Sequence, residues 1–149
     1  MGSFSIHVDT SSHRFLEAVA AGGNIASGIY ISAQNICYPD IGYTDFVVVI
    51  LGWWLQGSSA LVDDGDKVEN DFMDGPYQFT TEKLGNNVAI RLYQRTVNKT
   101  QQVGSTVVVL LNEYNDELYR AAQQLLKALD VLDASGTDIE VLRSTLKVL

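Results

Sequence analysis

A chain of 149 residues, 46% hydrophobic and 19% charged, reads as one globular domain that can bury a sizeable core, which excludes a disordered segment. Its net charge of −8 repels phosphate backbones, so a basic protein is the expected kind of partner and nucleic acid is not. The single cysteine, Cys37, excludes an internal disulfide. The one long apolar run, Phe46–Leu55, is far short of the roughly 20 residues a bilayer-spanning helix needs. No apolar stretch follows a basic start, so no signal peptide, no membrane association and a cytoplasmic setting are expected.

Phe4–Val8 alternates apolar and polar residues, as a short edge strand does. Ser11-Ser12 offers an N-cap for a helix over His13–Ala21, which Gly22-Gly23 stops. Ile25–Ile31 is ambiguous, with strand character at Ile29–Ser32, and Tyr38–Gly42 is a turn. Tyr43–Gln56 is rich in β-branched residues and apolar at both parities. It is expected to be a central strand covered on both faces or a strand at a subunit contact, with a buried helix as the competing assignment. Trp53 and Trp54 would then point to opposite faces, so either one is exposed on an open sheet face or, the simpler expectation, both are buried, one beneath each layer.

Gly57–Asp71 reads as a polar connection. Asn70–Thr81 reads as a strand interrupted at Asp74-Gly75-Pro76, because proline cannot donate to a ladder. Gly85-Asn86 suits a tight hairpin turn into Asn87–Thr96, where Val88, Ile90 and Leu92 share one face. A turn near Asn98–Gln101 leads to a strand over Val103–Leu111. Asn112–Asp133 is the cleanest periodic segment: Tyr114, Leu118, Ala121, Leu125, Ala128 and Leu132 form one helical stripe. Glu113, Asp116, Glu117, Arg120, Gln123, Gln124 and Lys127 lie on the opposite face. Ser135-Gly136 ends this helix, and Thr137 with Glu140 reads as a capping box for a second one. The sum is an α+β domain over residues 1–149: an antiparallel meander from about residue 43 to 111, helices packed on one face, two of them C-terminal.

No nucleophile elbow, phosphate loop, dinucleotide fingerprint or zinc-protease motif is present. Cys37 could pair in space with His7 or His13 as a nucleophile and base, but nothing flanking Cys37 resembles a nucleophile motif, and a lone cysteine is most simply a small core residue. No catalytic residue, metal or cofactor is assigned. The charge itself is uneven: residues 1–82 hold eleven acids against two bases, and residues 83–149 seven against eight. Asp63, Asp64, Asp66, Glu69, Asp71 and Asp74 are joined only by Lys67, so this run holds −5. Its spacing does not match a calcium-binding EF-hand loop. The bland reading is a solvated loop. The functional one is a patch that speeds encounter with a basic surface, with Phe72, Met73 and Tyr77 as the apolar anchor. Arg91, Tyr93 and Arg95 form a second row, which reads either as a nucleic-acid contact or as a solvent face paired with Glu82 and neighbouring acids.

Phe72–Arg95, with Asp74-Gly75-Pro76-Tyr77 entering a hairpin whose second strand is Val88–Leu92, resembles the small acidic bacterial proteins that include immunity proteins encoded beside secreted toxins. Size, acidity and the final amphipathic helix add to the resemblance, which covers about a third of the chain. It implies a stoichiometric inhibitor of a cognate basic toxin, and it transfers no site residues. Two alternatives stay open. One is a small-molecule-binding protein or enzyme with a pocket between sheet and helices, lined by Trp53 or Trp54, Tyr93 and Tyr114. The other is an oligomer-forming subunit that pairs through Phe46–Leu55.

Overall fold

A computed structural model describes residues 2–73 and 75–148. Among them two antiparallel sheets and four helices alternate as β1 (Phe4–Val8), α1 (His13–Ala21), β2 (Ala26–Ala33), β3 (Ile36–Tyr38), β4 (Thr44–Phe46), α2 (Val47–Ser59), β5 (Lys67–Asp71), β6 (Tyr77–Leu84), β7 (Asn87–Arg95), β8 (Thr100–Leu110), α3 (Leu111–Val131) and α4 (Thr137–Val148). The α+β class and the two C-terminal helices are as the sequence predicts. The meander is the later part only, a sheet in the order β5-β6-β7-β8. The earlier residues form a separate sheet in the order β1-β2-β3, with β4 also paired to β2.

The local signals hold where short-range chemistry decides. Ser12 caps α1, its Oγ accepting from the Phe15 N–H at 3.2 Å, and Gly22 leaves the helix at φ 74°, which costs a residue without a Cβ little. Gly85 turns the β6–β7 hairpin at φ 62°. For α4 the first helical bond runs from the Glu140 N–H to the Gly136 carbonyl. The cap therefore falls at Gly136, one residue before the predicted Thr137.

The main correction is at Tyr43–Gln56. Only Thr44–Phe46 is a strand, and Val47–Ser59 is the helix α2. Val47, Val48, Ile50, Leu51, Trp54 and Leu55 are all buried. A helix enclosed on most sides loses the one-sided stripe that distinguishes it from a buried strand, and tertiary burial overrides the β-preference of Val and Ile. Because α2 lies in the chain's own interior, the premise of a subunit contact through this segment as a strand falls. Gly57 lets α2 approach β5 closely, since a Cβ there would stand 2.9 Å from Asn70 Oδ1 and Val68 Cγ1.

The helical geometry also sets the tryptophans apart, about 100° round the axis. Trp54 is buried and donates its indole N–H to the Asp71 carbonyl at 2.9 Å, whereas Trp53 is 42% exposed. The expectation that both are buried fails for Trp53. One hydrophobic cluster joins residues of both sheets and all four helices, from Ile6 and Ile31 through Trp54 and Phe79 to Leu118, Leu125 and Leu142.

Candidate functional site

The acidic run forms the β5 edge of the larger sheet and the turn that precedes it. Asp66 holds that turn, its carboxylate accepting from the N–H groups of Val62 (3.1 Å) and Asp63 (2.8 Å). Asp64 ties it to the β6–β7 hairpin, accepting from the Gly85 N–H at 2.6 Å. Asp63 is exposed. Glu69 and Asp71 project from β5 onto the sheet face opposite Phe79 and Thr81, both of which are buried. There the Gln78 amide donates to Glu69 (3.3 Å) and to Asp71 (2.9 Å). Asp74 lies outside the described residues.

The basic row shares this face. Arg91 pairs with Glu82 at 3.0 Å and Arg95 with Asp71 at 3.7 Å, the pairing that the solvent-face reading anticipates. The predicted patch is thus divided: Asp71 meets an arginine, whereas Asp63, Asp64, Asp66 and Glu69 form no ion pair among the described residues.

The apolar anchors separate as well. Phe72 is buried, edge-on to Trp54 with ring centroids 5.1 Å apart, so it is core and is lost as an anchor. Met73 remains 39% exposed. Tyr77 is half-buried between Tyr38 and Tyr43, with centroids at 5.8 and 5.6 Å. Two polar fixtures hold this corner. The buried Asp45 carboxylate accepts from the Met73 N–H (2.9 Å), the Phe46 N–H (2.7 Å) and the Tyr43 hydroxyl (2.5 Å). The Tyr38 hydroxyl reaches the carbonyls of Gln78 and Tyr93, and burial pushes its pKa up to about 12, so it remains a donor. The sequence gives no sign that Asp45 ties this corner together, because its partner Met73 lies 28 residues away.

The residues named for a sheet–helix pocket do not converge. Trp54 and Tyr114 are core, while Tyr93 stands half-buried on the outer sheet face. An open cleft of about 530 Å³ lies elsewhere, between the outer face of the small sheet (His7, Gly28, Tyr30), the start of α1 (Ser12–Arg14) and the loop at Ile41–Tyr43. His7 and Tyr30 are register partners and stack with centroids 4.5 Å apart. At the rim, His13 lies 2.8 Å from Glu17. Cys37 is exposed on β3, so it is not the core residue expected. Among the described residues no helix is long and apolar enough to cross a membrane. No known protein family, curated protein or solved structure matches the chain.

Proposed function

We propose that this chain is a non-catalytic protein-binding module, an immunity-type inhibitor that engages a basic toxin in the cytoplasm. The observation that carries the reading is the concentration of acids at one sheet edge: Asp63, Asp64, Asp66, Glu69 and Asp71 lie along β5 and its turn. Such an edge steers a basic partner into contact and repels nucleic acid, and the acids also guard the edge strand against unwanted pairing. Met73 and Tyr77 supply apolar contact beside it.

The test is capture of a partner on the tagged protein from native lysate at low and at high salt. A single basic protein in near-equal amount, diminished at high salt, is the expected result. Association should slow when Asp63→Asn and Glu69→Gln are combined, a pair that leaves the backbone contacts of Asp64 and Asp66 in place. A partner that is acidic, or whose capture is indifferent to salt and to these changes, overturns the reading.

The His7–Tyr30 cleft favours a second reading, small-molecule binding, because its volume falls in the range of ligand sites, roughly 300–1,000 Å³. A thermal-shift screen tests it. A stabilising compound whose effect disappears in Tyr30→Ala supports it, and a compound that stabilises both proteins equally refutes that location.

A further inference from the structure

The outer face of the larger sheet holds a more specific arrangement than an acidic edge. Two registered rows cross it, Glu69–Thr80–Arg91 and Asp71–Gln78–Tyr93. Gln78 is 6% exposed, and its single amide nitrogen donates to both carboxylates, at 3.3 Å to Glu69 and 2.9 Å to Asp71. Two like charges are thereby held side by side on an edge strand. Thr80, 5% exposed and directly opposite Glu69, has a buried hydroxyl with no hydrogen-bond partner among the described residues. Glu69 has no cation within ion-pair distance there. The cation that does reach Asp71 is Arg95, loosely: the separation is 3.7 Å, and the two side chains are 55% and 52% exposed.

Resting on the protein-binding reading, we infer that this bed receives an arginine side chain of the basic partner, set between Glu69 and Asp71, over Thr80 and beside the Tyr93 ring, where it competes with Arg95 for Asp71. The chemistry selects guanidinium over ammonium. A planar fork donates in two directions at once, to paired carboxylates and to a hydroxyl lone pair, and its flat face stacks on an aromatic ring. An ammonium offers a compact, strongly hydrated charge and no such face. Gln78 is a positioning residue: it keeps the two carboxylates together.

The intact protein is titrated with a tetra-arginine peptide and, separately, a tetra-lysine peptide, following backbone amide shifts and affinity. The arginine peptide should give saturable shifts at Glu69, Asp71, Gln78 and Thr80 and bind more tightly than the lysine peptide. Glu69→Gln with Asp71→Asn, whose amide oxygens still accept from Gln78, should weaken it roughly fivefold or more, the scale of a partly exposed charge pair. Arg95→Gln removes the internal competitor and should tighten it, an effect that a purely structural role for Arg95 does not produce. Shifts confined to Asp63–Asp66, equal affinity for the two peptides, or an Arg95→Gln protein that binds less well would each overturn the inference, as would no binding at all. The broader reading stands or falls separately: a basic protein captured equally well by the Glu69→Gln, Asp71→Asn variant removes the arginine bed and leaves the inhibitor.

Discussion

At the residue scale, polar side chains in this protein take their role from what lies within hydrogen-bond reach, and charge alone misassigns several of them. Asp64 and Asp66 are aspartates like Asp63, yet their carboxylates are engaged by the N–H groups of Gly85, Val62 and Asp63. Neutralising all three together would loosen a turn as well as remove charge. Tyr114 presents the opposite case. Its ring is fully buried on α3, 5.1 Å from that of Phe4, and its hydroxyl has no hydrogen-bond partner among the described residues. Burial drives the phenol well above its usual pKa, so the hydroxyl remains a donor without an acceptor. An unpaired buried hydroxyl carries a desolvation cost of about 1–3 kcal/mol. Tyr114→Phe should therefore be neutral or stabilising by about 1 kcal/mol in urea unfolding. A loss of more than about 1 kcal/mol would mean that the hydroxyl bonds to a buried water.

At the element scale, α3 does more than bury a stripe. Residues that the helical period places on its solvent face close the outer edge of β1. Glu117 accepts from the Ile6 N–H at 2.6 Å, Arg120 donates to the Ile6 carbonyl, and Gln124 donates to the Val8 carbonyl at 3.1 Å. These groups stand in for a missing neighbouring strand and keep the edge from pairing with another chain. For Glu117, burial pushes the carboxyl pKa up. Hydrogen bonds from Arg120 and the Ile6 N–H, with the Arg120 charge, more than offset this and leave it below the usual value. A lowered folded-state pKa means that the ionised form contributes stability above the unfolded value, about 4.3, and that this is lost as pH falls through the folded one. Glu117→Gln should cost about 1–2 kcal/mol near neutrality, and the gap from wild type should shrink in urea titrations carried below about pH 4. A gap independent of pH would remove the ion pair from the explanation. Sequence made α1, its Ser12 cap, the Gly85 turn and the α3 stripe legible, because each depends on residues a few positions apart. It could not resolve α2, where burial on most sides blurs the period. Nor could it reveal the closure of β1, whose partners lie more than a hundred residues away.

At the scale of the whole molecule, several connections couple the two sheets besides the Tyr38 hydroxyl, which bonds from β3 to the carbonyls of Gln78 and Tyr93. The helix α3 packs on β1 and on β7 and β8. The Gly2 N–H donates to the Val108 carbonyl of β8 at 2.8 Å. Ile36 of β3 lies so close to Gly104 of β8 that an added Cβ would overlap its side chain, and Gly104 has φ 69°, a conformation in which glycine is favoured. Together with the continuous hydrophobic cluster, these connections predict that the sheets do not unfold independently, as small domains with one shared core generally do not. The exposed thiol of Cys37 on β3 gives a reporter for the smaller sheet once labelled. In a Trp53→Phe background, Trp54, which is bonded to Asp71 at the end of β5, reports on the larger one. Both signals should lose amplitude at the same urea concentration and with the same slope. A Cys37 transition at lower urea than that of Trp54 would show that β1–β4 open first. The acidic β5 edge would then lie on the more persistent part of the molecule.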